Sequence, residues 1–387
     1  MNRYVFVESL LCLHVQCRLL VRRFLLLTVL LLLQAAGAVN CDQNSPVDAI
    51  SPPMTAVDAY EHAVGLSLPL NPFAPQAYYH YLDQAISLDP GFMQARALKA
   101  AGYAAAIAHG IQIDGMNFSA MERVVLQEVQ ELLMQSPDQG LVYVAQAFIH
   151  WHHQRGVPAR LSFEAALRLM PGDTTVMVAY TELLSLIEAH EQAVTTARRI
   201  VELAPDNAAH YWLLGEVLLH AGRAEEAADT LRQASNRFTP GYEVLLLLGQ
   251  AEYLLKNNNV AMDHLADAVT LLEETVPYYE YMAIHVHALS RLGMTDQAQR
   301  VFRKFERRVE AEEYISASAQ ALAYLAMGYR DVAFDVLYRS PNEGLKTLQY
   351  IRANLLNDPV LDQSRFAELR RRIKMTGGTS NIEIPPF

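Results

Sequence analysis

The residues best suited to chemistry are four in a row, His150-Trp151-His152-His153. His150 and His153 stand three apart and share a helix face, as two metal ligands would. No cysteine lies beyond Cys41, no nearby pair of carboxylates completes a coordination set, and Gln154-Arg155-Gly156 follows directly. Exposed histidines are ordinary at such a helix end, so no metal is expected there. His190-Glu191 opens the zinc-protease pattern H-E-x-x-H, but Val194 occupies the second histidine position. His285 and His287, two apart, point to different sides of a helix and read as packing or surface residues. The chain has neither a G-x-S-x-G elbow nor a phosphate-binding glycine loop. These absences lead to an expectation of no enzyme activity, no cofactor and no metal.

Composition narrows the partners. A formal net charge of -11 opposes general affinity for nucleic acid, which needs clustered cations that displace counterions. The basic runs Arg300–Arg308 and Arg370–Arg372 are interleaved with apolar residues at helical spacing and read as solvated helix faces. With 52% hydrophobic residues among 387, the chain can build a large core, and with Cys12, Cys17 and Cys41 all near its start, that core holds by packing alone.

The N-terminal segment, 1–38, carries an apolar run, Phe24–Leu33, behind Arg18, Arg22 and Arg23 and ahead of Ala36-Gly37-Ala38. That order describes an export leader. Three fates remain open for it: cleavage, retention as an inner-membrane anchor, and lipidation at Cys41. Each puts the rest of the protein outside the cytoplasm, in the periplasm or facing it. A Pro- and Ser-containing linker follows, over 39–57.

What must position the remaining residues is a repeat. Pro137, Pro171 and Pro205 are spaced 34 and 34, as are Ala193, Ala227 and Ala261, and Leu214-Gly215 recurs one such interval later as Leu248-Gly249. Within each unit two apolar-periodic stretches flank a short polar turn, such as Ala221-Gly222-Arg223, which makes a helix hairpin. Small residues belong where the two helices cross closely, Gly215 against Ala227, and the proline stops the second helix. The wider interval from Pro90 to Pro137 implies an insertion at Gly110–Asn117.

A helix-turn-helix unit of this length, with Leu214, Gly215, Ala227, Leu231 and Ala234 in place before Pro240, resembles the tetratricopeptide repeat. The resemblance implies an all-α, right-handed superhelical solenoid of helix hairpins over 58–346, closed by capping helices over 347–375 and followed by a flexible tail, 376–387. Tyr60–Pro90 and Leu348–Lys374, the latter with Asp358-Pro359 and Arg365-Phe366, look like the ends of the repeat region in membrane-anchored winged-helix (CadC-like) acid-sensor regulators and related cyclases. Their cytoplasmic DNA-binding head has no counterpart in Met1–Arg23.

In such a solenoid the first helices line a concave groove. The helical period assigns to it Val144, Phe148 and Trp151, then Val178 and Glu182, then Trp212, Glu216 and Leu219, then Leu246, Gln250 and Tyr253. This mixed apolar, aromatic and acidic lining suits an extended peptide or a helix. It lacks the Lys and Asn of the carboxylate-clamp variety of these repeats, so acidic tails are not expected ligands. The reading that follows is an exported scaffold that binds a protein or peptide partner in the cell envelope through this groove, without nucleic acid and with a possible inner-membrane attachment through its N-terminus. A sensory or regulatory module acting through a partner is the alternative, with a metal-binding protein or hydrolase third.

Overall fold

The computed structural model describes residues 54–66, 70, 74, 76–109, 111–113, 115–274, 279–311, 315–339 and 364–365. The leader, most of the linker, nearly all of the capping segment and the tail lie outside the described residues. All described elements fall in one unit, Met54–Phe387.

Every described element is an α-helix. In order they are α1 (Ala56–Leu66), α2 (Gln76–Leu88), α3 (Met93–Ala108), α4 (Phe118–Gln135), α5 (Gly140–His152), α6 (Gly156–Leu169), α7 (Thr174–Leu186), α8 (His190–Leu203), α9 (Ala208–His220), α10 (Ala224–Arg237), α11 (Tyr242–Leu254), α12 (Asn258–Glu274), α13 (Tyr279–Arg291), α14 (Thr295–Glu310), α15 (Ala317–Ala326) and α16 (Arg330–Arg339). Odd and even helices pair as hairpins. Second helices from α2 to α12 pack on the next first helix, and first helices also touch one another, α3 on α5, α9 on both α7 and α11, and α13 on α15. None of the described helices is long and apolar enough to cross a membrane.

The stops fall where proline puts them: α2, α4, α6, α8 and α10 end at Leu88, Gln135, Leu169, Leu203 and Arg237, just before Pro90, Pro137, Pro171, Pro205 and Pro240. Asp173 and Asn207, two residues beyond their prolines, then cap the next helix. The Asp173 carboxylate accepts from the Thr175 and Val176 amides at 2.9 and 3.1 Å, and the Asn207 side-chain oxygen accepts from the Ala209 amide at 3.0 Å. The insertion also lies as expected, between the end of α3 at Ala108 and the start of α4 at Phe118.

A regularity in the hairpin turns was not visible in residue types. Gln154, Glu188, Gly222 and Lys256, each one repeat interval after the last, all have positive φ, at 58°, 63°, 76° and 67°. At each, two crossed hydrogen bonds close the first helix: Gly222 N–H donates to Leu219 O at 3.0 Å and Arg223 N–H to Leu218 O at 2.8 Å. This Schellman closure needs a left-handed residue, normally glycine. Only one of the four units supplies it.

The core is assembled from the small and apolar positions of the repeat. Ala159, Ala193 and Ala227 are fully enclosed, as are Phe163, Ile200 and Leu231. The basic run on α14 divides as amphipathicity requires, Phe302 and Phe305 inside and Arg300, Arg303, Lys304 and Arg307 on the outer side.

Candidate partner-binding face

The eleven expected groove residues separate into two groups. Val178, Glu182, Trp212, Glu216, Leu246, Gln250 and Tyr253 are half-buried on the first helices α7, α9 and α11. Val178 and Glu182, Trp212 and Glu216, and Leu246 and Gln250 are each four positions apart, so every pair stands one turn apart on the same helix face. The three pairs keep the repeat interval from helix to helix.

Val144, Phe148, Trp151 and Leu219 do not belong with them. They are 0%, 1%, 2% and 4% exposed, which leaves a partner nothing to touch. The Phe148 ring stacks on Trp151 at 5.6 Å and meets the edge of Phe163 at 5.4 Å, while His109 tilts over both Phe148 and Trp151 at 6.1 and 5.4 Å. His109, the residue just past α3, thus lies against the α5 line.

His109 continues to Glu182, its Nε2 lying 3.8 Å from the carboxylate. Ser185 Oγ and His220 Nδ1 are 2.9 Å apart and join α7 to α9. A serine beside a histidine is the germ of a nucleophile pair. Both are almost completely enclosed, however, so the bond ties layers together and meets no substrate. Residue spacing gave no warning of either contact.

Several carboxylates in this solenoid have cations. Arg96 reaches Glu128 at 2.8 Å and Glu131 at 2.5 Å, and the enclosed Glu252 accepts from Arg232 Nη2 at 2.9 Å and from the Asn257 amide at 2.8 Å. The Glu252 carboxyl is lowered despite burial, because Asn257 and Arg232 together outweigh its desolvation. Among the described residues the Glu216 carboxylate, like those of the half-buried Glu243 and Glu306, has no hydrogen bond or ion pair. Loss of water alone pushes it up to about 7. Tyr253, at the far end of α11, is covered by the Arg291 guanidinium at 4.5 Å from its ring centroid, with the Lys256 ammonium at 6.0 Å.

The histidine run lies away from this line. His153 is exposed and its Nε2 sits 2.5 Å from Glu122 on α4, a partner distant in the chain that the sequence did not indicate. His150 is half-buried, and desolvation, with Arg155 and His153 adding, lowers it to about 4. Among the described residues no three side chains of metal-ligating type come together. His287 is enclosed and His285 half-buried, as packing residues are.

No protein-family profile matches the chain, and no curated protein matches it in sequence. Solved structures do. The apo form of RapI is similar at a TM-score of 0.51 and 10% identity, over 82% of this chain and 98% of that one. The APC/C hetero-tetramer Cut9-Hcn1 is similar at 0.49 and 15% identity, over 81% of this chain and 55% of that one. A tetratricopeptide repeat protein from Parabacteroides merdae gives 0.44 and 11% identity, over 67% and 93%. At these identities the likeness concerns fold alone, and the chain has that fold: a right-handed all-α solenoid of tetratricopeptide-like helix hairpins.

Proposed function

We propose that this chain is an exported, non-catalytic scaffold of the cell envelope that holds a protein or peptide partner against the first helices α7, α9 and α11. The observation that carries the reading is the line of paired, half-buried residues on those helices, apolar or aromatic at one position and polar one turn later, repeated at a fixed interval. A linear partner meets equivalent positions at regular steps on such a surface. Export rests on the leader in the sequence. The test is capture of partners from envelope extract by wild type and by Trp212→Ala, with mass spectrometry of what is retained. A partner held by wild type and lost by a variant of equal helicity supports the reading. Identical capture by both rejects this face.

A regulatory module, similar to the repeat region of membrane-anchored acid-sensor regulators, is supported by one further observation. Arg365, from the expected cap, lays its guanidinium over the Phe334 ring at 4.5 Å and reaches Asp331 on α16 at 2.6 Å. That contact suits a tail that closes the last hairpin. Such a module needs its leader retained as an anchor, so N-terminal sequencing of the mature chain decides between the two.

A further inference from the structure

We infer that Trp212 and Glu216 form a seat for an arginine side chain, and that the segment held on the α7–α9–α11 face is therefore a basic, arginine-bearing peptide. The inference deepens the scaffold reading above and rests on it.

The first argument is an uncompensated charge. A carboxylate partly taken from water is stabilised by a cation or donors, as Glu252 is by Arg232 and Asn257. Glu216 is half-buried on the proposed face and has neither among the described residues. The chain bears that cost in its free state, and a cation brought by a ligand would relieve it.

The second argument is geometry. Trp212 precedes Glu216 by one helical turn and both are half-buried, so indole and carboxylate stand one turn apart on the same helix face. A guanidinium uses both at once, stacking its plane on the ring and donating two parallel N–H groups to the carboxylate. An ammonium has no plane to stack.

The third argument is a precedent within the same surface. On α11, Tyr253 already carries a guanidinium, that of Arg291, at 4.5 Å from its centroid. Where the protein supplies its own arginine, the aromatic is covered. At Trp212 the described residues supply none. Of the neighbouring groove positions, Val178, Leu246 and Gln250 are uncharged and Glu182 adds a second carboxylate, while the Arg291 and Lys256 cations stand at Tyr253, at the far end of α11.

The test uses the full chain and three fluorescein-labelled extended peptides in which alanine alternates with arginine, with lysine or with leucine. Anisotropy is read at physiological salt for wild type, Glu216→Gln, Trp212→Leu and the control Glu225→Gln, an exposed carboxylate on α10. The arginine peptide is expected to bind best. Glu216→Gln and Trp212→Leu are each expected to weaken it about tenfold or more. Glu225→Gln should leave it unchanged. Circular dichroism and melting of each variant separate loss of binding from loss of fold. Equal affinity for the lysine peptide, or an arginine peptide indifferent to Glu216→Gln, overturns the seat. Tight binding of the leucine peptide alone overturns it too while leaving peptide capture by this face standing. A wild-type chain that binds none of the three, yet retains its envelope partner in both wild type and Trp212→Ala, overturns the seat and the face together.

Discussion

The β-carbon that Gly215 lacks would lie 2.6 Å from the side chain of Leu231, and its three nearest neighbours would all be atoms of Leu231. Residue spacing pairs Gly215 with Ala227, one turn earlier on α10. Ala227 is fully enclosed, but the closest body at the crossing is the leucine. One unit later the alanine does take part: a β-carbon on Gly249 would meet Leu265 at 3.0 Å and the backbone oxygen of Ala261 at 3.2 Å. Gly215→Val should therefore lower stability by about 1–3 kcal/mol through overpacking. Leu231→Ala in the same chain should recover part of that loss, and chemical denaturation of the four-member cycle would reveal the coupling. Additive effects would place the crossing elsewhere.

The two tryptophans should behave oppositely. Trp151→Ala empties a site 2% exposed beneath His109 and beside Phe148, and should cost about 3–5 kcal/mol. Trp212→Ala removes a half-buried ring and should shift the melting midpoint far less while abolishing partner capture. A melting loss as large for Trp212 as for Trp151 would mean that both belong to the core.

The contrast shows what residue spacing can and cannot convey. Helix hairpins, their proline stops, the inserted segment after α3 and the enclosed alanines were all readable, because each follows from local chemistry repeated at a constant interval. The open and closed halves of the groove were not. Phe148, Glu182, Glu216 and Gln250 occupy one register position, and the first of them is closed over by the rings of Trp151, Phe163 and His109. The same limit hid the His153–Glu122 and Ser185–His220 pairs, whose members meet only through the packing of separate helices.

The left-handed turns offer stability that the sequence has not taken up. A side chain in this conformation costs about 1 kcal/mol or more relative to glycine, partly repaid because glycine loosens the unfolded chain. Glu188 and Lys256 stand at φ 63° and 67° where Gly222 stands at 76°. Glu188→Gly and Lys256→Gly should each raise stability by about 0.5–1 kcal/mol, measured by denaturant midpoint. A loss in both would show that the side chains are held there by contacts stronger than the strain.

Export should be visible at the N-terminus. A fusion of alkaline phosphatase after residue 57 should be active in a bacterial host and lose activity when Phe24–Leu33 is deleted. Mature mass then distinguishes the fates: a chain beginning at Val39 for cleavage, an intact chain in the membrane fraction for an anchor, and an acylated Cys41 for a lipoprotein. An inactive fusion would reject export.

The unpartnered carboxylate of Glu216 should leave a signature in the pH dependence of stability. Folding raises its pKa from an ordinary 4.5 to about 7. Well below 4.5 the group is protonated in both states and contributes nothing. As pH rises through this window the unfolded chain releases its proton first, so the folded state binds more protons and stability falls with pH. The full penalty, at most about 3 kcal/mol, is reached above pH 7. Glu216→Gln removes the titration, so the variant should approach wild type as pH falls toward 4.5 and exceed it in melting midpoint at pH 8. His150, lowered to about 4, acts in the opposite sense over an overlapping range, with stability lost as pH falls from its ordinary 6.5. It is common to both proteins and cancels in the difference. A variant that gains stability at pH 8 while losing the arginine peptide would identify Glu216 as a group held against the interest of the fold. Parallel stability curves for variant and wild type would mean that water or an unseen donor already satisfies it.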